Sequence, residues 1–249
     1  MTSRTPAPLV LAVLLAAPAA FAADAPTREV RFRSPDGFKL TATYLPAAKG
    51  KTTVILLHGL GAGRHEWDRF IAVLADNGLG ALALDFRGHG ESDPPPFTTF
   101  RSPEAWGKLR KDVDGAVDFL EDEGVPVSRM SIVGASIGAN LALKAAAGNR
   151  RIAAVALLSP GKDYQGVTLE PEIGSFKRPL LLAASRTDPY SFDTVQELKG
   201  KLGGKSRPLR FLDAGSGHGV EMLDSGLAEE LVSWLHRPDQ PRKARASFR

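Results

Sequence analysis

The sequence contains no cysteine in its 249 residues. That absence excludes disulfides, iron–sulfur clusters and thiolate zinc sites together. It does not conflict with an oxidising compartment, because a chain of this length buries enough core to stand without cross-links. Long hydrophobic runs are missing too. The most apolar stretch, Leu9-Val10-Leu11-Ala12-Val13-Leu14-Leu15, falls well short of the roughly 20 residues that span a bilayer. Arg4 is the only charge before Asp24, Pro18 interrupts the run, and Ala20-Phe21-Ala22 supplies a small-x-small cleavage pattern. Residues 1–22 therefore read as a signal peptide, which implies an exported, periplasmic or secreted protein with no membrane span after cleavage. An uncleaved anchor is the alternative, and no cysteine follows the run to carry a lipid.

Excess charge of one sign is also lacking from the body of the chain. Of the net +4, the segment from Arg237 to Arg249 carries +4 and Arg4 one more, which leaves −1 for everything between. The basicity sits in a short, proline-containing C-terminal tail, residues 237–249, a pattern more typical of a solvated extension than of a nucleic-acid surface. No nucleic-acid partner is expected. No internal repeat divides residues 23–236, which read as a single catalytic domain.

What is present is an alternation of two periods. Glu29–Arg33 and Phe38–Leu45 flank the turn Pro35-Asp36-Gly37 and predict an N-terminal antiparallel hairpin. Continuous apolar runs follow at Thr52–Leu57, Leu79–Leu84, Met130–Val133, Ile152–Leu158, Leu180–Ala184 and, less regularly, Leu209–Leu212. Such runs suit strands buried on both faces of a parallel sheet. Helical patterns lie between them at Glu66–Asn77, Ser102–Glu123, Ala139–Ala147, Tyr190–Leu202 and Val220–His236. The alternation predicts an α/β fold, a mostly parallel eight-stranded sheet with helices on both faces. Ligands of such sheets bind at the carboxyl ends of the strands, so the loops after the runs are where chemistry belongs.

Four of those loops carry it. Gly134-Ala135-Ser136-Ile137-Gly138 joins a strand to a helix, the setting of a nucleophile elbow. A serine on so sharp a turn needs neighbours almost free of side chain, which Gly134 and Gly138 supply. Its hydroxyl also needs a base. Of the five histidines, His218 in Gly215-Ser216-Gly217-His218-Gly219 lies in a strand-end loop late enough for the order serine, acid, histidine. Asp188, directly after the run Leu180–Ala184, is the preferred acid, with Asp163 as runner-up. The backbone N–H groups of Ile137 and of Leu60, in His58-Gly59-Leu60-Gly61-Ala62-Gly63, are the expected oxyanion donors.

The ordered set His58-Gly59-Leu60-Gly61, Asp85-Phe86-Arg87-Gly88-His89-Gly90-Glu91-Ser92, Gly134-Ala135-Ser136-Ile137-Gly138, Asp188 and His218 resembles the α/β-hydrolase superfamily, from about Arg28 to His236. The nearest likeness is the capless branch around dienelactone hydrolases and small esterases, here with a serine in place of their usual cysteine. The resemblance implies an architectural role for His89. It also implies no sizeable lid, since Pro160–Arg178 is too short for a multi-helix cap, and an open site bordered by that segment and by Pro94–Phe100. Phe97 and Phe100 either wall the site or pack their loop. The expected function is a serine hydrolase, in first place a carboxylic ester hydrolase working through an acyl-enzyme on a small-molecule ester or amide, without metal or cofactor. A serine peptidase or amidase, and a catalytically idle binding protein, are the alternatives. Oligomeric state is not legible.

Overall fold

The structure is a computed structural model, and it describes residues 27–202 and 208–239. The apolar leader and nearly all of the basic tail lie outside the described residues. Eight strands form one sheet: β1 (Arg28–Arg33), β2 (Lys39–Leu45), β3 (Thr53–Leu57), β4 (Gly80–Leu84), β5 (Met130–Ala135), β6 (Ala154–Leu158), β7 (Leu180–Ala184) and β8 (Leu209–Asp213). Their order is β1-β2-β4-β3-β5-β6-β7-β8. β2 pairs antiparallel with both β1 and β4, and every other pairing is parallel. The N-terminal hairpin turns at Gly37, whose φ of +92° suits a residue without a Cβ.

The continuous apolar runs are strands covered on both sides. Ile55 and Leu57 of β3 face one core with Leu82 and Leu84 of β4, while Val54 and Leu56 face the other with Ala81 and Ala83. A period of two across two buried faces leaves no polar position to mark the strand, which is why these segments read as unbroken apolar runs. Helices α1 (Asp68–Asp76) and α5 (Leu227–His236) cover one face. Helices α2 (Arg110–Asp122), α3 (Ile137–Gly148) and α4 (Pro189–Leu202) cover the other.

Two expected helices are broken. The pattern over Ser102–Glu123 divides into a short helix, Pro103–Gly107, capped by the Ser102 hydroxyl (3.3 Å from the Ala105 nitrogen), and then α2. The break after Gly107 lets both Trp106 and Leu109 turn into the core. The pattern over Val220–His236 divides at Gly226, whose φ of +91° ends a 3₁₀ segment, Gly219–Ser225, before α5 begins. The segment after β6 builds only a two-residue ribbon, Asp163–Tyr164 with Val167–Thr168, and one helical turn, Glu172–Ser175. It makes no lid.

One buried ion cluster ties the β4 loop to the rest of the fold. The Arg87 guanidinium donates to Asp112 (2.7 and 2.5 Å) and to Asp36 in the hairpin turn (2.7 and 2.8 Å). Its backbone N–H adds another bond to Asp112, at 2.8 Å. Asp112 is fully buried, and removing its cation leaves an uncompensated charge in the core. Arg87→Ala is expected to cost about 3–5 kcal/mol in urea unfolding. Arg31→Ala, at a residue whose ion pairs are solvent-exposed, should stay within about 0.5 kcal/mol of the parent.

Candidate active site

Ser136 stands between the end of β5 and the start of α3, with φ +55° and ψ −123°. A non-glycine residue is strained there, and the surroundings must hold it. Its N–H donates to the Leu158 carbonyl of β6 (2.9 Å) and its carbonyl accepts from Ala139 (2.9 Å). The flanking glycines make the turn possible. A Cβ on Gly134 would sit 2.1 Å from the Gly138 oxygen, and one on Gly138 would sit 2.5 Å from the Leu57 oxygen. The tight turn starts α3 at Ile137, directly after Ser136.

His218 and Asp188 meet across 30 residues of sequence. His218 Nδ1 lies 2.7 Å from Asp188 Oδ2, which places the proton on Nδ1 and leaves Nε2 as the basic nitrogen. The loop under His218 is clamped from two strand ends. Gly219 N–H donates to Ser159 Oγ (2.9 Å), Ser185 Oγ donates to the Gly217 carbonyl (2.6 Å), and Gly217 N–H donates to Thr187 Oγ1 (3.0 Å). Burial works against the charge on Asp188, yet hydrogen bonds from Ser191 and His218 outweigh it and hold the carboxyl below its ordinary range. The runner-up acid is used elsewhere. Asp163 Oδ1 accepts from the Gly166 N–H at 2.5 Å and closes the turn of the two-residue ribbon.

Ser136 and His218 line one cavity of about 600 Å³, with Gly59, Leu60, Glu66 and Leu223 among its walls. Among the described residues no hydrogen bond joins Ser136 Oγ to His218, and such bonds commonly tighten only around substrate. The Leu60 loop passes directly over the serine, for a Cβ on Gly59 would be 3.5 Å from Ser136 Cβ. His58 fixes that loop from behind. Its Nε2 accepts the Phe86 N–H (3.1 Å), so Nδ1 carries the proton and donates to the Gly59 carbonyl (2.7 Å). Burial, with His89 beside it, depresses His58 to about 4 and keeps it neutral. The Gly59 C=O and Leu60 N–H belong to one planar trans peptide, so holding the carbonyl points the N–H the opposite way. Neither the Leu60 nor the Ile137 N–H is used by another protein group among the described residues.

The borders of the site differ from expectation. Neither Phe97 nor Phe100 lines this cavity. Phe97 stacks on His89 (4.3 Å between centroids) and Phe100 meets Trp106 edge-on (5.1 Å), so both aromatic rings are spent on packing their own loop. His89 is buried in that stack. The cavity lies instead between the start of α1 and the Gly219–Ser225 turn.

Sequence reasoning missed Glu66 and Tyr164. Glu66 donates nothing to the helix pattern that a first-turn acid would not, and only the fold reveals that it accepts the Gly59 N–H at 3.1 Å. Burial pushes its carboxyl up to about 7. Tyr164, on the ribbon, donates to the Ser159 carbonyl at 3.1 Å; burial raises its phenol, against the hydroxyls of Ser191 and Ser136. The glycine contacts generate a direct test. Gly138→Ala should drive a Cβ into the backbone of β3, costing several kcal/mol or all soluble protein, whereas Gly124→Ala meets no atom within 4 Å and loses only the comfort of its φ of +81°. Parallel denaturant melts measure the difference.

A family model described as the alpha/beta hydrolase family matches residues 54–248. Among curated proteins, a 2-hydroxy-6-oxononadienedioate/2-hydroxy-6-oxononatrienedioate hydrolase of Paraburkholderia xenovorans is 28% identical over 186 residues, covering 67% of this chain and 61% of that protein. A polyketide transferase of Stachybotrys chlorohalonatus is 31% identical over 141 residues, covering 55% and 46%. The chain thus spans roughly half to three fifths of the length of the curated relatives it matches. Among solved structures, an esterase of Pyrococcus furiosus superposes with a TM-score of 0.70 at 22% identity, over 86% of this chain and 92% of that one. An esterase of Exiguobacterium antarcticum gives 0.66 at 14% identity, over 84% and 99%. The family match extends over most of the described sheet, from β3 onward, and on that ground the chain belongs to the α/β-hydrolase family.

Proposed function

We propose that this hydrolase cleaves carboxylic esters through an acyl-enzyme, with Ser136 as nucleophile, His218 as general base and Asp188 as the acid that orients it. The observation that carries the reading is the Asp188–His218 bond of 2.7 Å, on the same cavity as a serine held at a strained strand-to-helix turn. Substrate binding brings Ser136 Oγ within reach of His218 Nε2. Oγ attacks the ester carbonyl carbon as its proton passes to Nε2, and the former carbonyl oxygen takes the negative charge opposite the Leu60 and Ile137 N–H groups. The C–O bond breaks, and the leaving alcohol takes the proton from His218. Water then repeats the attack on the acyl-enzyme, giving its proton to Nε2, and the acid departs as the proton returns to Ser136.

A fluorophosphonate probe should label Ser136 and fail on Ser136→Ala, which should also lose several orders of magnitude in turnover of p-nitrophenyl esters. Asp188→Asn should lower kcat by up to about 10⁴, because an amide can hold the imidazole in the wrong tautomer. Asp163→Asn should leave kcat within a few-fold. An inactive Asp163 variant beside an active Asp188 variant would move the acid to the loop after β6. Labelling at another residue would remove Ser136 altogether.

Export is proposed on separate grounds, the apolar run Leu9–Leu15 and the Ala20-Phe21-Ala22 pattern. The processed chain should begin at Ala23. N-terminal sequencing of the protein recovered outside the cytoplasm checks this, and a membrane-bound chain still carrying Leu9–Leu15 would refute it.

A further inference from the structure

For the Leu60 N–H to serve the oxyanion proposed at Ser136, the residue before it must be held, and that residue is a glycine with free dihedrals. Two side chains hold it. His58 Nδ1 donates to the Gly59 carbonyl at 2.7 Å, fixing the peptide that carries the Leu60 N–H. The Gly59 N–H, on the preceding peptide, donates to Glu66 Oε1 at 3.1 Å. With both polar ends of Gly59 engaged, the loop cannot rotate over Ser136 without losing a bond. His58 directly follows the central strand β3, but Glu66 comes from the 3₁₀ turn Arg64–Trp67 ahead of α1 and lines the cavity itself. That turn is firmly seated: the Arg64 N–H donates to Asp85 Oδ1 at 2.7 Å, the Arg64 guanidinium contacts the same carboxylate, and Trp67 is fully buried.

We propose that Glu66 is a positioning residue that holds the His58–Gly59–Leu60 loop in register with Ser136 and, through its own charge, sets how well that loop receives a developing oxyanion. The proposal rests on the reading of Ser136 as nucleophile. The charged and titratable neighbours around the cavity are His65, Asp68 and Arg69 on the Glu66 side, and His218, Glu221 and Asp224 on the other. They are engaged with partners of their own. Arg69 pairs with Asp224 (3.3 Å), His65 with Asp68 (3.1 Å), and Glu221 Oε2 accepts the His218 N–H (3.2 Å). Among the described residues no cation pairs with Glu66. Burial therefore dominates, and the carboxyl titrates at about 7. Below that pH it is neutral and still accepts from Gly59. Above it, a negative charge lies beside the place where the oxyanion forms, and opposes it.

Glu66→Gln keeps an acceptor for Gly59 and removes the charge; Glu66→Ala removes both. Second-order rates of fluorophosphonate labelling, and kcat and KM for a short p-nitrophenyl ester, are measured on both variants and the parent between about pH 6 and 8.5. Glu66→Ala should lower kcat and the labelling rate by about 10- to 30-fold with KM changed less than about two-fold, the mark of an interaction made in the transition state. Glu66→Gln should fall within about three-fold of the parent at pH 6, and its rate relative to the parent should climb about five-fold toward pH 8.5 as the parental carboxyl ionises. A Glu66→Ala protein as fast as the parent overturns the proposal, and so does a ratio flat in pH. Should Glu66→Ala fail to fold, the ratio for Glu66→Gln decides alone. Parent protein labelled at Ser136 with a flat ratio sinks only the role of Glu66, whereas parent protein unlabelled at Ser136 sinks the nucleophile reading beneath it.

Discussion

Everything at the site depends on how closely α3 is allowed to approach the sheet. Gly138 lies where a single added carbon would fall 2.5 and 2.6 Å from the carbonyl oxygens of Leu57 and His58. That approach has three consequences at once. It forces the sharp reversal at Ser136, it brings the first N–H groups of α3 beside the end of β3, and it sets the floor on which the His58–Leu60 loop lies. The strain at Ser136 is held by its backbone bonds to Leu158 and Ala139, so the turn is paid for by the ladder of the central strands. A site assembled from strand ends in this way is as rigid as the sheet beneath it.

The electrostatics separate two carboxyls on either side of the serine. Asp188 is held in its charged form by Ser191 and His218, while Glu66, paired with no cation among the described residues, is pushed toward its neutral form by burial. Environments that drive two acids apart in this way mark opposite duties around one site. Their effects on stability have opposite signs. Asp188 stabilises the fold above its ordinary value of 3.8, and that contribution fades as the pH falls through the lower folded value. Glu66 binds its proton more tightly folded than unfolded, so its ionisation weakens the fold as the pH rises from 4.5 toward about 7. A carboxyl kept near neutrality at a cavity wall is a cost the scaffold bears, and the Gly59 bond offers a physical reason for bearing it.

Much of the fold was legible because both of its periods are written locally. Buried strands such as Val54–Leu57 show as apolar runs, and glycines such as Gly124 mark where helices stop. The breaks within Ser102–Glu123 and Val220–His236 were not legible, since they depend on where Trp106 and Leu109 find core and on the left-handed turn at Gly226. For the site, Ser136 announces itself by the glycines it needs, and His218 by its late loop. Asp188 and Asp163 could not be separated from sequence beyond a preference, because each follows a strand; only the structure brings Asp188 to His218 and turns Asp163 onto Gly166. Glu66 left no local trace, for an acid near a helix start is common whatever it touches. Phe97 and Phe100 had two readings for the same reason, and the stacking on His89 and Trp106 selects packing.

The choice between hydrolysis and transfer, both represented among the relatives, turns on what reaches the base once an acyl group occupies Ser136. The His218 side chain is 45% exposed while its partner Asp188 is 13% exposed. Under the proposed mechanism the same imidazole that is anchored on its buried edge therefore meets solvent on the other. The segment after β6 builds no lid to exclude water, and the cavity that His218 lines is also lined by Glu221, Asp224 and Arg69, charged side chains that favour water beside them. A second substrate would have to displace this water before it could accept the acyl group, and it would need contacts strong enough to offset that desolvation. An open, charged rim over a half-exposed base thus favours water as the second nucleophile, which places the weight of the geometry on hydrolysis.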